Sequence, residues 1–153
     1  NVGLHAVNSL RLEKGFRHWG HDIGSHDNLL EAGLNFVADM TSGDFIGYQA
    51  LMTQISKGVP ERRLVQFRLE NPDPLLYHNE PIVMNGEIVG YLTSGAFGHA
   101  VGSSIGMGYV NVPLLSNEII SAAEFEIEIA LERFSAQASL RGWYDPKGLK
   151  MRQ

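Results

Sequence analysis

The sequence contains no cysteine and is poor in charged residues. Without a thiol, the chain cannot form a disulfide, a thiolate metal site, an iron–sulfur cluster or a cysteine nucleophile. Its 12 lysines and arginines face 17 aspartates and glutamates, for a formal net charge of −5. Because phosphate backbones and anionic lipids are bound by basic surfaces, we expect neither nucleic-acid binding nor a polybasic membrane anchor.

Long apolar runs are missing too. No stretch approaches the ~18 consecutive apolar residues of a membrane-spanning helix. The first residues, NVGLH, resemble no signal peptide and include no initiator methionine, which suggests a piece cut from a longer protein. The 153 residues are nevertheless 44% hydrophobic. That composition predicts a folded core, in one domain or in part of a larger one.

The first segment of the chain has a helical pattern. Leu4, Val7 and Leu10 recur at helical spacing, and Gly15 can end the helix that they predict. Residues 34–38 predict a short strand.

A second helix is predicted to begin at Asp44, because a carboxylate at the N-cap accepts a hydrogen bond from a free backbone N–H. Gly58 supplies its end. The apolar stripe of this helix is expected to be Phe45, Tyr48, Met52 and Ile55.

After residue 60 the apolar period becomes two, which predicts strands. Val65, Phe67 and Leu69 begin this pattern, and Asn85-Gly86 is a strong hairpin signal because a type I′ turn requires positive φ at both central residues. We therefore predict an α+β fold in which about five antiparallel strands close into a small barrel or sandwich. The tail, residues 142–153, is expected to be only partly ordered.

Three features invite a chemical interpretation, and for each of them a structural interpretation is favoured. A metal site could be built from the cluster His18, His21, Asp22, His26 and Asp27, since imidazole and carboxylate bind zinc or iron. The sequence has no HExxH motif, and solvated histidines are the favoured interpretation.

The glycine run at residues 93–99 could cradle a phosphate, but it fits neither the Walker nor the dinucleotide pattern, which favours glycines at strand ends and bulges. Similarly, Glu31 near Phe36 could be a carboxylate beside an aromatic platform. A surface carboxylate beside a core aromatic is the favoured interpretation.

Several segments resemble the glycine-cleavage T-protein family. Residues 8–20 read NSLRLEKGFRHWG, which resembles the version of a family motif found in sarcosine and dimethylglycine dehydrogenases. The further segments that match are LEAGL at 30–34, DFIGYQAL at 44–51, RRLV at 62–65, NG at 85–86, VGYLTSG at 89–95 and GMGYV at 106–110. The resemblance covers residues 3–146 in order, so no single motif carries it.

Within that family the chain resembles the flavin-linked demethylating dehydrogenases more than the aminomethyltransferases. Val7 stands where an aminomethyltransferase usually has a folate-contacting arginine, and Asn8 stands where aspartate is usual. The segment AFGH at 96–99 and the ending WYDP at 143–146 also resemble the dehydrogenases.

The resemblance implies a division of labour. An upstream FAD domain, absent from this sequence, would oxidise an N-methyl amine, and the one-carbon unit would pass to tetrahydrofolate. Residues 1–60 would be the end of the central α/β folate-binding domain and residues 61–153 the C-terminal barrel. Phe16 and Phe36 would line the folate pocket, with core packing as the open alternative for both. Arg11 and Glu13 match the family motif, and we expect them to have structural roles, in an ion pair or a helix cap.

Two other functions remain open: an aminomethyltransferase truncated at its N-terminus, and a non-enzymatic barrel used for interaction. The fragment alone is expected to lack oxidase activity. Its partners would be folate and the rest of its own polypeptide, and apolar surface left uncovered predicts self-association. The resemblance implies a location in the cytoplasm or, in a eukaryote, in the mitochondrial matrix.

Overall fold

A computed structural model describes residues 1–113 and 115–152, and for residue 151 it describes the backbone alone. A β-barrel forms the centre of the fold. Within these residues six antiparallel strands close in the order β1-β4-β3-β2-β5-β6. The α+β prediction is confirmed. The strands are β1 (Arg63–Leu69), β2 (Pro81–Met84), β3 (Glu87–Gly98), β4 (Ser103–Val110), β5 (Phe125–Ile129) and β6 (Glu132–Ser139).

The predicted hairpin joins β2 to β3. Asn85 has a φ of 51° and Gly86 a φ of 91°, as a type I′ turn requires. Apolar side chains from all six strands fill the barrel interior, and Phe67 packs against Phe125 with ring centroids 5.5 Å apart and ring planes tilted by 59°. Both glycines of the run, Gly95 and Gly98, lie in β3, with Gly98 at its end, and the register irregularity of this strand falls just before them, between Leu92 and Ser94.

The first helix, α1 (Leu4–Lys14), is confirmed and lies against β3 and β4. Its apolar stripe does not form the contact, because Leu4 is 79% exposed. The opposite face packs on the barrel instead, through the buried Leu12 and through hydrogen bonds. The Ser9 hydroxyl donates to the carbonyl of Phe97 at 2.6 Å, and the Glu13 carboxylate accepts from a backbone N–H of the turn after β3.

The second predicted helix begins later than expected. α2 spans Tyr48–Ser56 and is preceded by Gly47, whose φ of 93° interrupts the helical backbone. Asp44 therefore does not cap it. Leu51 is its buried residue, whereas Met52 of the predicted stripe is exposed. The predicted cap was wrong because a left-handed residue, Gly47, separates Asp44 from the helix.

The strand predicted at residues 34–38 was also wrong, since this segment contains a short 3₁₀ helix, Asn35–Val37. The backbone N–H of Leu34 donates to Leu29 at 2.8 Å, and that of Val37 donates to Leu34 at 3.0 Å. These local bonds occupy the groups that a strand would offer to a neighbour.

Two further segments complete the fold. A third helix, α3 (Asn117–Ala122), is capped by the Ser116 hydroxyl and was not predicted. The tail lies against the end of α1: the backbone N–H of Tyr144 donates to Glu13 at 2.9 Å, and the Lys14 ammonium donates to the carbonyl of Asp145 at 2.9 Å. Over the described ranges, the helices are all too short or too polar to cross a bilayer.

Candidate functional site

A cavity of about 1010 Å³ opens where the chain leaving α1 faces α3 and the end of β6. Phe16 and Phe36 both line it. The structure therefore brings the two sequence-predicted residues to one site, although 20 positions separate them. Phe16 is 59% exposed and Phe36 is 76% exposed, so neither belongs to the core that the described residues form. Val7, by contrast, lies on the exposed face of α1.

The position of Phe16 follows from the glycine before it. Gly15 ends α1 with a φ of 74°, a left-handed backbone that glycine adopts without strain. A Cβ atom there would lie 2.2 Å from the side-chain nitrogen of Gln66, which is buried in β1. Because Gly15 has no side chain, the end of α1 packs directly on the barrel, and Phe16 emerges at the rim of the cavity.

Arg17 ties the two aromatic segments together. Its Nη1 donates to the carbonyl of Gly15 at 2.6 Å, and its Nε donates to the carbonyl of Ala32 at 3.1 Å. A third, longer bond reaches the carbonyl of Gly33 at 3.4 Å. One guanidinium thus joins the backbone beside Phe16 to the loop that leads to the 3₁₀ helix. The positions of the two aromatic rings therefore depend on the same side chain.

The cavity is cationic as well as aromatic. Among the described residues that line the cavity, none is aspartate or glutamate. The cationic residues of the lining are Lys14, Arg17, Arg63 and Arg141. Burial lowers the pKa of Arg17, with the charge of Asp22 acting in the opposite direction. Burial likewise lowers the pKa of Arg63, whose Nη1 donates to the carbonyl of Leu115 at 3.3 Å. These costs of desolvation are reduced when an anion approaches.

Asp22, considered above as a possible metal ligand, instead accepts hydrogen bonds from three groups of the chain. Its buried carboxylate accepts hydrogen bonds from the Arg11 guanidinium, from the Thr93 hydroxyl at 2.5 Å and from the backbone N–H of His18 at 2.8 Å. Burial lowers the pKa of Arg11, and the charge and hydrogen bond of Asp22 oppose this shift. Among residues 1–113 and 115–152, no group of three or more potential ligands could hold a metal ion.

A second charged cluster surrounds Arg62. Its Nη2 lies 2.5 Å from Asp27 and 3.1 Å from Glu31, and its guanidinium carbon lies 4.5 Å from the centre of the Tyr109 ring. Desolvation lowers the pKa of Arg62, but the two carboxylates outweigh it and the pKa is raised. Glu31 is therefore half of an ion pair and supplies no free carboxylate beside Phe36.

The Tyr109 hydroxyl is buried in this cluster. Its oxygen makes no hydrogen bond with any of the described residues. Burial raises the pKa of Tyr109, and the nearby negative charge of Asp27 raises it further, while Arg62 acts in the opposite direction.

Sequence reasoning missed much of the cavity. Arg17, Arg63 and Arg141 carry no signal of a shared site in the sequence, because they lie on a loop, on β1 and just after β6. The contribution of α3 was missed with the helix itself, although Ser116 at its start is a typical N-cap.

Comparison with known proteins agrees with this architecture. Residues 62–145 match the family model described as the glycine cleavage T-protein C-terminal barrel domain, and residues 1–42 match the GCVT N-terminal domain. The chain is 40% identical over 152 residues to a 4-methylaminobutanoate oxidase (formaldehyde-forming) of Paenarthrobacter nicotinovorans, covering 99% of this chain and 18% of that protein. It is 35% identical over 156 residues to the mitochondrial sarcosine dehydrogenase of Homo sapiens, covering 99% of this chain and 17% of that protein.

The chain thus spans less than a fifth of these two relatives. A solved structure, the glycine cleavage system aminomethyltransferase T from Bartonella henselae, superposes with a TM-score of 0.79 at 26% identity, covering 95% of this chain and 40% of that one. The barrel match extends over more than half of the chain, and the order of segments around it agrees with the resemblance seen in the sequence. The chain therefore belongs to the glycine cleavage T-protein family.

Proposed function

We propose that this chain is the C-terminal, tetrahydrofolate-binding part of a sarcosine or dimethylglycine dehydrogenase-like flavoprotein. The observation that carries the proposal is the cavity that combines the exposed rings of Phe16 and Phe36 with a cationic lining. A reduced folate has a flat pterin, which aromatic rings can stack on, and glutamyl carboxylates, which cations attract. The lining therefore fits both ends of this cofactor.

In the whole protein, we assign residues 1–60 to the end of the central folate-binding domain and residues 61–153 to the C-terminal barrel. FAD on another domain would oxidise an N-methyl amine, and tetrahydrofolate supplies the acceptor for the one-carbon unit. The part played by this chain is to hold and orient the folate. The sequence has no GxGxxG dinucleotide fingerprint. We therefore expect that sarcosine with this chain alone leaves a dye acceptor unreduced, and reduction of the dye would contradict that expectation.

The test of folate binding is a titration of the chain with 5-formyltetrahydrofolate, followed by tryptophan fluorescence and by calorimetry. Trp19 lies three residues after Phe16 and is 68% exposed, so its emission can report on that rim. We expect saturable binding, weakened about tenfold by Phe16→Ala and by Phe36→Ala, which corresponds to ~1.4 kcal/mol of lost stacking.

The matched control is Tyr91→Ala. The exposed fraction of Tyr91 is 55%, similar to the 59% of Phe16, but Tyr91 lies on β3 and does not line the cavity. Its replacement should leave the dissociation constant unchanged. Two results would contradict the proposal: no saturable binding, or equal weakening by all three alanine variants.

A second candidate is a truncated aminomethyltransferase, favoured by the superposition on the aminomethyltransferase T over 95% of the chain. The two candidates differ in what precedes this segment. A GxGxxG strand–turn–helix encoded upstream would support the dehydrogenase, whereas an upstream T-protein domain alone would support the aminomethyltransferase. We assign the protein to the cytoplasm or, in a eukaryote, to the mitochondrial matrix, which imaging of a tagged full-length protein would check.

Self-association of the isolated chain forms part of the proposal. The exposed face of α1 carries Leu4, Val7 and Leu10, which are 79%, 48% and 55% exposed. Burial of this stripe against a second copy would be favourable. Light scattering should therefore show a molar mass that rises with concentration, and a constant monomer mass would contradict self-association.

A further inference from the structure

Five of the six histidines of the sequence surround one cleft of about 520 Å³, separate from the aromatic cavity. They come from four segments that are distant along the chain: α1, the loop after it, the loop before β2 and the turn after β3. These residues are His5, His18, His21, His78 and His99. All five are exposed, so the cleft is open to solutes.

A close backbone approach brings the third of these segments into place. A Cβ atom on Gly95 of β3 would lie 2.4 Å from the carbonyl carbon of Leu76. The absence of that atom allows the loop at 75–77 to lie directly on the strand. Just beyond it, the backbone N–H of Asn79 donates to Leu92 at 2.7 Å, and this bond fixes the loop next to His78.

The lining of the cleft carries no negative charge to balance these imidazoles. Of the described residues that line it, none is aspartate or glutamate. Arg11 also lines the cleft, and its charge is balanced by the buried Asp22. From the loop before β2, the Glu80 carboxylate accepts a hydrogen bond from the backbone N–H of Tyr77 at 2.9 Å. In a chain of net charge −5, protonation of the histidines therefore creates a local surplus of positive charge.

Two of the histidines lie face to face. The rings of His18 and His21 stack with centroids 4.6 Å apart and planes 18° from parallel. Two imidazolium ions at this separation repel each other. The attraction of an anion to both rings offsets that repulsion, so that anion binding and proton uptake at this pair favour each other.

We propose that this cleft binds the oxyanion group of a small ligand, a carboxylate or a tetrahedral sulfate- or phosphate-type group, and takes up protons as it does so. A protonated imidazole attracts an anion and a neutral one does not, so the affinity increases as the pH falls. The proposal is independent of folate binding, because it concerns different residues on a different face of α1.

The experiment follows the histidine ring protons of the 153-residue chain by NMR during titration with sulfate and, separately, with formate. Both probes keep a constant charge between pH 6 and 8, so a change in affinity reports on the protein. Each linked proton changes the dissociation constant by up to about tenfold per pH unit. We expect binding at least tenfold tighter at pH 6 than at pH 8. The tighter of the two probes identifies which oxyanion shape the cleft takes.

The critical variant is His18→Asn with His21→Asn, and the matched control is His26→Asn. His26 is also exposed, but it lies outside the cleft lining. The double variant should weaken binding at pH 6 by at least tenfold, and the control should leave it unchanged. Thermal melting of each variant verifies that the fold is intact. The proposal is overturned if neither anion binds saturably, if affinity is equal at the two pH values, or if the double variant binds as tightly as the parent.

Discussion

The Arg11 guanidinium of α1 donates a hydrogen bond to the carboxylate of Asp22, whose side chain is completely buried. The same carboxylate accepts from the Thr93 hydroxyl of β3, at 2.5 Å. One buried anion thus connects the first helix, the loop that follows it and the barrel. That loop carries His18 and His21, and Phe16 lies just before it, so both candidate sites depend on this connection.

Asp22→Asn is expected to destabilise the chain by about 3 kcal/mol, because it leaves the mostly buried Arg11 charge without its partner. Urea denaturation followed by circular dichroism measures this change. Asp44→Asn is the control: Asp44 is exposed, and its replacement should change stability by less than ~0.5 kcal/mol. A loss below ~1 kcal/mol for Asp22→Asn would show that the pair adds little to the fold.

Gly108→Ala is expected to destabilise the barrel by about 3 kcal/mol. A Cβ atom at Gly108 would lie 2.3 Å from the carbonyl oxygen of Tyr91 on the neighbouring strand, and backbone cannot move aside as a flexible side chain can. The control is Gly24→Ala, where the nearest atom would be 3.7 Å away, in Asp27. Differential scanning calorimetry should show a lower Tm for Gly108→Ala alone. Equal Tm values for both variants would contradict the close approach of β3 and β4.

The raised pKa of Tyr109 predicts that the folded chain loses stability at alkaline pH. Because burial raises its pKa in the folded chain, the folded state favours the protonated phenol. The stabilisation is complete below the unfolded pKa of about 10 and is lost as the pH rises above it, towards the higher folded pKa. Chemical denaturation from pH 8 to 11 should therefore show stability falling above about pH 10, more steeply for the parent than for Tyr109→Phe.

At pH 7, Tyr109→Phe should cost less than ~1 kcal/mol or stabilise, since the buried hydroxyl makes no hydrogen bond with a described residue. Identical pH profiles for the parent and Tyr109→Phe would contradict the alkaline prediction. A large loss of stability at pH 7 would show that the hydroxyl has a partner.

The accuracy of sequence reasoning differed between the strands and the loops. The barrel strands and the Asn85-Gly86 turn were predicted because alternation and positive φ are local properties. The start of α2 was misplaced because Gly47 adopts a left-handed backbone that the apolar pattern does not reveal. Phe16 and Phe36 were named from the family resemblance, and their role in folate binding stays a prediction.

The sequence by itself determined the class of the fold, the hairpin and the membership of a family, because each is encoded in neighbouring residues or in the order of short motifs. The tertiary structure alone decided that Phe16 and Phe36 share a cavity, that Asp22 is buried against Arg11, and that five histidines meet in one cleft. Burial, pKa and convergence depend on which distant segments cover a side chain. Which segments cover a side chain depends on how the barrel closes and on close backbone approaches such as the one at Gly95. Neither can be predicted from the pattern of neighbouring residues.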